Sequence, residues 1–141
     1  MGSFSDTPAA IAGGTIKTYR FVTIDVTGPT TNTDDNTVVQ AAASNVTVVG
    51  ITDGSTRRFD TTNGDHALDG EPVTLQGGDV VLVECAGAIN RGALVESDAD
   101  GKAVTATTTT GGRFHAYVAL EAGASGRIIR VMKVSGWRYY P

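Results

Sequence analysis

Residues 77–106, GGDVVLVECAGAINRGALVESDADGKAVTA, contain three short apolar runs separated by turn-forming residues. The runs 80–85, 93–97 and 102–106 each have the length and apolar content of a β-strand. The last two flank the sequence Asp98-Ala99-Asp100-Gly101, and an Asp-Gly pair between two strand-like runs is a strong hairpin signal. We therefore predict three consecutive strands in this stretch, with a tight turn at 98–101.

The rest of the chain repeats this alternation of short apolar runs and turn residues. Further strands are predicted at 16–26, 38–42, 46–52, 72–75, 114–120 and 127–134, with a polar hairpin or long loop at 56–71. No amphipathic stretch is long enough for a stable helix. Turns about every 8–12 residues in a 141-residue chain predict one all-β domain, either a barrel or a sandwich.

The two ends of the chain depart from this strand pattern. Residues 1–15 are predicted to form an extended N-terminal arm, 16–134 the β domain, and 135–141 a short aromatic tail. Within the predicted strand 114–120, period-2 alternation places Val118 and Leu120 on one face and His115 and Tyr117 on the other. This alternation predicts that His115 is a solvent-facing strand residue.

The charge is unevenly distributed along the chain. The formal net charge is -4, yet the residues from Arg113 onward include five cations and one anion, or +4. The preceding residues carry the other six cations and fourteen anions, or -8. Because the cations are dispersed in an acidic chain, we predict contact with an acidic protein surface, or with this chain's own acidic part, and no nucleic acid.

Several other classes of protein are disfavoured by the sequence. No apolar run approaches the ~20 residues of a membrane span, and the N-terminus lacks the pattern of a signal peptide. We therefore expect no membrane and synthesis in a cytoplasm. Phosphate-loop and zinc-ligand spacings do not occur, so we expect no cofactor, no metal and no enzymatic activity. The lone Cys85 lies in an apolar run and is predicted to be a buried core residue.

Two acidic clusters could suggest a site. His66 with Asp65 and Asp69 is the arrangement most similar to a catalytic or metal cluster. In a strand, however, the adjacent Asp65 and His66 would face opposite sides and would not converge. Asp98 and Asp100 lack the further ligands of a calcium loop, so we expect them to cap their own turn.

The motifs of the central stretch also resemble a known family. Gly-Ala-Leu-Val at 92–95, the polar turn Ser-Asp-Ala-Asp-Gly and the sequence Lys-Ala-Val-Thr-Ala at 102–106 occur in an order similar to that of the small capsid decoration, or cement, proteins of tailed phages. The segments 19–25, 49–51, 116–122 and 126–131 resemble other strands of that family in the same order. The resemblance covers residues 17–134, whereas 107–112 and the tail after 134 depart from it.

The resemblance implies a structural role. Proteins of this family bind the outer face of the capsid, so the implied partner is the major capsid protein and the implied location is the virion surface. The resemblance also implies a homo-oligomer, with a trimer favoured, that clamps the assembled shell.

The candidate interface residues lie at the two ends of the chain. Phe4 and Ile11 are predicted to anchor the arm, which would pair with a capsid element; the alternative from the sequence is a frayed terminus. The tail residues expected either to contact a partner or to pack on the chain's own barrel are Trp137, Arg138, Tyr139 and Tyr140.

Two other functions fit the sequence. One is a carbohydrate- or cell-surface-binding β-module whose tail aromatics stack on sugars. The other is a small hydrolase with a site built around His66 or His115.

Overall fold

The all-β prediction is confirmed. The computed structural model describes residues 9–26, 37–44, 47–55, 58–107, 111–114, 117–134 and 137–140. These residues form β-strands and no helix, and hence no helix that could cross a membrane. The strands are β1 Ala9–Ala12, β2 Ile16–Lys17, β3 Phe21–Ile24, β4 Thr37–Gln40, β5 Gly50–Ile51, β6 Arg58–Asp60, β7 Gly64–Ala67, β8 Pro72–Thr74, β9 Val80–Glu84, β10 Leu94–Ser97, β11 Ala103–Thr105, β12 Gly111–Phe114, β13 Tyr117–Ala119, β14 Ile128–Lys133 and β15 Trp137–Tyr140.

The first sheet contains five strands in the order β5-β3-β4-β1-β8. It curls until its edge strands meet, because Thr52, after β5, forms an antiparallel bridge with Leu75, after β8. Two flanking hydrogen bonds, from Asp53 N to Thr74 O at 3.0 Å and from Gln76 N to Ile51 O at 2.9 Å, complete the junction. The core of this part of the fold consists of Ala10, Ala12, Ile16, Val22, Val38, Ala67, Val73 and Leu75.

The second sheet contains the three strands predicted from residues 77–106. Its order is β11-β10-β13-β14-β9, and a parallel bridge between Cys85 and Ala103 brings β9 next to β11. This sheet therefore also curls on itself, and it encloses the larger core cluster. Cys85 is fully buried there, as predicted, and its burial raises the pKa of the thiol.

The tight turn at 98–101 joins the two sheets. Asp98 Oδ1 accepts hydrogen bonds from the backbone N–H groups of Asp100 and Lys102, both at 2.8 Å, which confirms the predicted capping. The turn is not a free hairpin tip, however, because Gly101 is buried and its carbonyl accepts a 2.8 Å hydrogen bond from Phe21 N in the first sheet. The Phe21 ring enters the second core and packs on Tyr117, with ring centroids 5.6 Å apart.

A partly buried ion cluster reinforces the contact between the 98–101 turn and the first sheet, which we call the joint. Arg20 Nη2 lies 3.0 Å from Glu84 Oε2, and Lys102 Nζ lies 3.2 Å from the same oxygen. The Arg20 side chain is only 7% exposed, and within the described part of the chain its Nε has no hydrogen-bond partner. The stability of the buried guanidinium therefore depends strongly on Glu84.

We predict that Glu84→Gln lowers the free energy of unfolding by about 3 kcal/mol, because it leaves a buried arginine without its counter-ion. The measurement is chemical denaturation at neutral pH. The control is Glu121→Gln, which breaks the exposed pair between Arg130 and Glu121 (N···O 3.2 Å) and should leave stability almost unchanged. Equal effects of the two substitutions would contradict this account of the joint.

Gly101 allows a second test of the joint. Its φ is +72°, and a Cβ there would lie 2.9 Å from Gln40 Cγ and 3.1 Å from Phe21 O. Gly126 has a similar φ of +79° but no neighbouring atom within 4 Å of such a Cβ. Gly126→Ala should therefore cost only the backbone strain, about 1–2 kcal/mol, while Gly101→Ala should cost a further 1–3 kcal/mol or so. Similar denaturation midpoints for the two variants would show that the turn is not tightly docked.

The predicted strand 16–26 is wrong in one respect, because it is interrupted. Tyr19 lies between β2 and β3 in the left-handed conformation, with φ at 55°. Its N–H donates to Thr52 O at 3.2 Å in the first sheet, and its carbonyl accepts from Glu84 N at 3.1 Å in the second. The chain therefore turns at Tyr19 to connect the two sheets, and this long-range pairing leaves no local signal in the sequence.

The predicted arm also ends earlier than residue 15. Strand β1 lies between β4 and β8, parallel to β4 and antiparallel to β8. The small residues Ala10 and Ala12 are buried in the first core. Residues 9–12 therefore belong to the β domain, and the low hydrophobicity of alanine concealed this strand in the sequence.

Candidate functional site

The outer face of the second sheet carries an exposed apolar surface, which we call the apolar band. Its members, Val80, Leu82, Ile128 and Met132, are each 37% to 50% exposed. Strand register places Leu94, Val118, Met132 and Val80 in a single row across β10, β13, β14 and β9. Contiguous exposed apolar surface of this kind is typical of an interaction site.

The direction of strand β13 explains why this surface is apolar. His115, predicted to face the solvent, lies outside the described residues, whereas Tyr117, which alternation places on the same face, is buried together with Ala119. Burial in the core raises the pKa of Tyr117 to about 12. Because Tyr117 packs inward on Phe21, period-2 alternation turns Val118 and Leu120 toward the outside, where both are only half-buried.

Charged side chains of both signs lie in and around the apolar band. Arg130 lies between Ile128 and Met132 along β14 and faces Leu82 on β9. Its guanidinium pairs with Glu121, and the hydrogen bond from Arg130 N is the main cause that lowers the pKa of that carboxyl group. Glu84 lies opposite Ile128 in the same register. The band therefore combines apolar side chains with charges of both signs.

The Gln76 side chain occupies part of the backbone edge of β9. Its Oε1 accepts from Leu82 N at 2.8 Å, and its Nε2 donates to Leu82 O at 2.7 Å and to Thr52 O at 3.0 Å. One side chain therefore satisfies both backbone groups of Leu82 and ties the second sheet to the first. Since the backbone groups of Leu82 are occupied, a partner strand cannot pair with β9 at this residue.

Two neighbouring isoleucines test whether the band contributes to folding. Ile128 is 40% exposed in the band, while Ile129 is 0% exposed in the core. We expect Ile129→Ala to lower the free energy of unfolding by about 2–5 kcal/mol and Ile128→Ala to change it by less than about 1 kcal/mol. The measurement is urea denaturation of the isolated protein. A large loss for Ile128→Ala would mean that the band stabilises the fold itself.

The β6–β7 hairpin forms a second surface. Phe59 is 73% exposed on β6, an outer strand of the three-stranded sheet β2-β7-β6. Beside it is an open hollow of about 430 Å³, lined by Arg58, Phe59, Asp60, His66 and Leu68. We call Phe59, Leu68 and the acidic residues around them the hairpin surface. The sequence predicted a hairpin or loop here but did not single out Phe59.

His66 has different partners from the ones considered in the sequence. Asp65 is exposed and His66 is buried, which confirms that the two do not converge. His66 Nε2 instead lies 3.5 Å from Asp60 Oδ2, and its Nδ1 lies 2.9 Å from Gly64 O. The Asp60 carboxylate also accepts from Thr62 N, and hydrogen bonds from the Asn63 backbone and side chain are the main causes of its lowered pKa. Asp60 and Asn63 have the spacing of a turn capped by an aspartate. This spacing is the signal that could have identified Asp60 as the partner of His66 within the hairpin.

The predicted interface residues at the chain ends are in different situations. Phe4 lies outside the described residues. Ile11 is half-buried in β1, whose backbone already pairs with β4 and β8, so it is not part of a free arm. The segment Trp137–Tyr140 contains all four tail candidates and forms β15.

Strand β15 pairs only with β12 among the described residues. The register places Phe114 opposite Trp137 and Arg113 opposite Arg138. Strands β12 and β15 are the chain continuations of β13 and β14, which pair with each other in the second sheet. We call this pair the C-terminal ribbon. The structure therefore brings the tail together with residues 111–114, a partner that the sequence did not indicate.

No family model and no curated protein matches this chain. The solved structures include a clear likeness in fold, the crystal structure of the head fiber gp8.5 N base in bacteriophage phi29, with a TM-score of 0.63. The similarity covers 94% of this chain and 98% of that chain, at 16% sequence identity. Its extent shows that the two chains share their whole fold and not only one sheet.

Proposed function

We propose that this chain is a structural protein of a phage head, which binds the outer surface of the capsid and stabilises the assembled shell. The observation that carries the proposal is the likeness in fold, over almost the whole of both chains, to the base of a phage head fiber. The motif order of residues 17–134, which resembles that of capsid decoration proteins, supports the same role.

Stabilisation of a shell requires no catalysis. A protein that binds only the assembled shell shifts the equilibrium toward it by mass action. A homo-oligomer, with a trimer favoured by the resemblance, would contact several copies of the major capsid protein, so that individually weak contacts would combine. The contacts of His66 are compatible with this non-catalytic role, because Nδ1 lies 2.9 Å from Gly64 O and Nε2 lies 3.5 Å from Asp60 Oδ2, both in its own hairpin.

The C-terminal ribbon is the element that we propose contacts the capsid. Among the described residues the ribbon has two strands only. A two-stranded ribbon is marginally stable on its own, and its outer edges are suited to pairing with a strand of a partner. Its sequence is rich in residue types that are common at binding hot spots, namely Trp137, Arg138, Tyr139 and Tyr140. Phe4 remains a second proposed contact, with residues 1–8 as its segment.

The test is co-sedimentation with capsid shells that lack this protein. We expect the wild-type chain to sediment with the shells at micromolar concentration. A variant with both Trp137→Ala and Tyr139→Ala should bind at least about tenfold more weakly, as expected for the loss of hot-spot aromatics. Deletion of residues 1–8, which keeps β1 intact, measures the contribution of the N-terminal segment separately.

The matched control is Val26→Ala, because Val26 is 87% exposed and lies outside the ribbon, the band and the hairpin surface. It should bind shells like the wild type. Absence of co-sedimentation of the wild-type chain would overturn the proposed function. Unchanged shell binding by the double variant would exclude the ribbon as the contact and leave the function itself standing.

A further inference from the structure

We infer that the C-terminal ribbon binds an extended protein segment in which acidic and apolar residues alternate. The inference rests on the capsid contact of the proposed function, and it adds the chemistry of the segment that is bound. It follows from the two faces of the ribbon, which differ in composition.

The register of the ribbon separates its residues into two unlike faces. Residues directly opposite each other in an antiparallel pair lie on the same face, and successive residues of a strand alternate between the faces. The pair Arg113–Arg138 and the next pair, Phe114–Trp137, therefore belong to opposite faces. The arginine face comprises Gly111, Arg113, Arg138 and Tyr140, and the aromatic face comprises Gly112, Phe114, Trp137 and Tyr139.

The arginine face favours an acidic partner. Two like charges directly opposite each other in a sheet oppose the pairing of their strands. Arginine stays charged at any physiological pH, and its planar fork binds carboxylates in a bidentate manner, so carboxylates beside this pair would offset the repulsion. The sequence from 101 to 141 supplies few carboxylates, because Glu121 is its only acidic side chain and already pairs with Arg130.

Strand pairing determines how the residues of the bound segment are spaced. A strand added to an edge of the ribbon continues both of its faces, so alternate residues of that strand lie beside the arginine face and the residues between them beside the aromatic face. Acids therefore occur at every second position of the segment, with apolar residues between them. The adjacent Gly111 and Gly112 reduce the bulk of β12, as is common where another backbone approaches closely.

A peptide titration tests the inference without capsid shells. Trp137 is the only tryptophan in the chain, so its fluorescence reports binding at the ribbon. The probe is the end-blocked peptide Thr-Glu-Val-Glu-Val-Glu-Thr, titrated to ~5 mM because a short flexible peptide loses conformational freedom and binds weakly. We expect a saturable change in fluorescence that weakens as salt is added, since the attraction is between charges. The isomer Thr-Val-Val-Glu-Glu-Glu-Thr lacks the alternation and should bind about fivefold more weakly, as expected for the loss of one or two cross-strand pairs.

Reversal of charge tests the arginine face directly. The variant with both Arg113→Glu and Arg138→Glu should bind the acidic peptide at least about tenfold more weakly than the wild type. It should instead bind the peptide Thr-Lys-Val-Lys-Val-Lys-Thr, which the wild type should not bind. The matched control, with Arg91→Glu and Arg127→Glu, makes the same change in net charge at two exposed arginines outside the ribbon. It should bind the acidic peptide like the wild type.

Several outcomes would overturn the inference. They are the absence of a saturable response to the acidic peptide, equal binding of that peptide and its isomer, and unchanged binding by the charge-reversal variant. Tighter binding of a single-stranded oligonucleotide would assign the arginine face to nucleic acid instead. If the charge-reversal variant melts well below the wild type, Arg113→Gln with Arg138→Gln repeats the test. An equally unstable glutamine variant would mean that the two arginines pair with acids of this chain, which would also overturn the inference.

The two proposals can fail separately. A wild-type chain that binds the acidic peptide as expected but does not sediment with capsid shells would overturn the capsid role alone. Shell binding that is unaffected by the charge reversal and by an excess of the acidic peptide would overturn this inference and leave the capsid role intact.

Discussion

The docking of the 98–101 turn on strand β3 is the contact on which the rest of the structure depends. The hydrogen bond from Phe21 N to Gly101 O, the Phe21–Tyr117 ring contact and the ion cluster at Glu84 all lie at this point. They convert two curled sheets, each with its own set of core residues, into one body. The left-handed conformations of Tyr19 and Gly101 are the backbone geometry that allows the two sheets to approach so closely.

This joint also determines which surfaces are available to a partner. Because the Tyr117 ring points inward to meet Phe21, the aliphatic residues next to it in β13 point outward and join the apolar band. The Gln76 side chain then occupies the edge of β9 beside that band.

The sequence was more informative about strands than about sites. Turn residues at regular intervals revealed most of the described strands, because Gly, Asn and Asp act locally on the backbone, but they did not reveal β1, β12 or β15. Strand β1 was missed because three of its four residues are alanine, and it is held in place by pairing with β4 and β8. His66 was recognised, but its partner Asp60 was not, since only the closed hairpin brings the two side chains together.

The sequence by itself determined the all-β class, the three strands of residues 77–106, the Asp98 cap and the burial of Cys85. Each of these depends on local backbone preference or on the hydrophobicity of a short run. Only the tertiary structure decided that the same turn is buried at the joint and which face of β13 points to the core. Alternation shows that two faces differ, but it does not show which face meets another part of the chain, because that depends on contacts between distant residues.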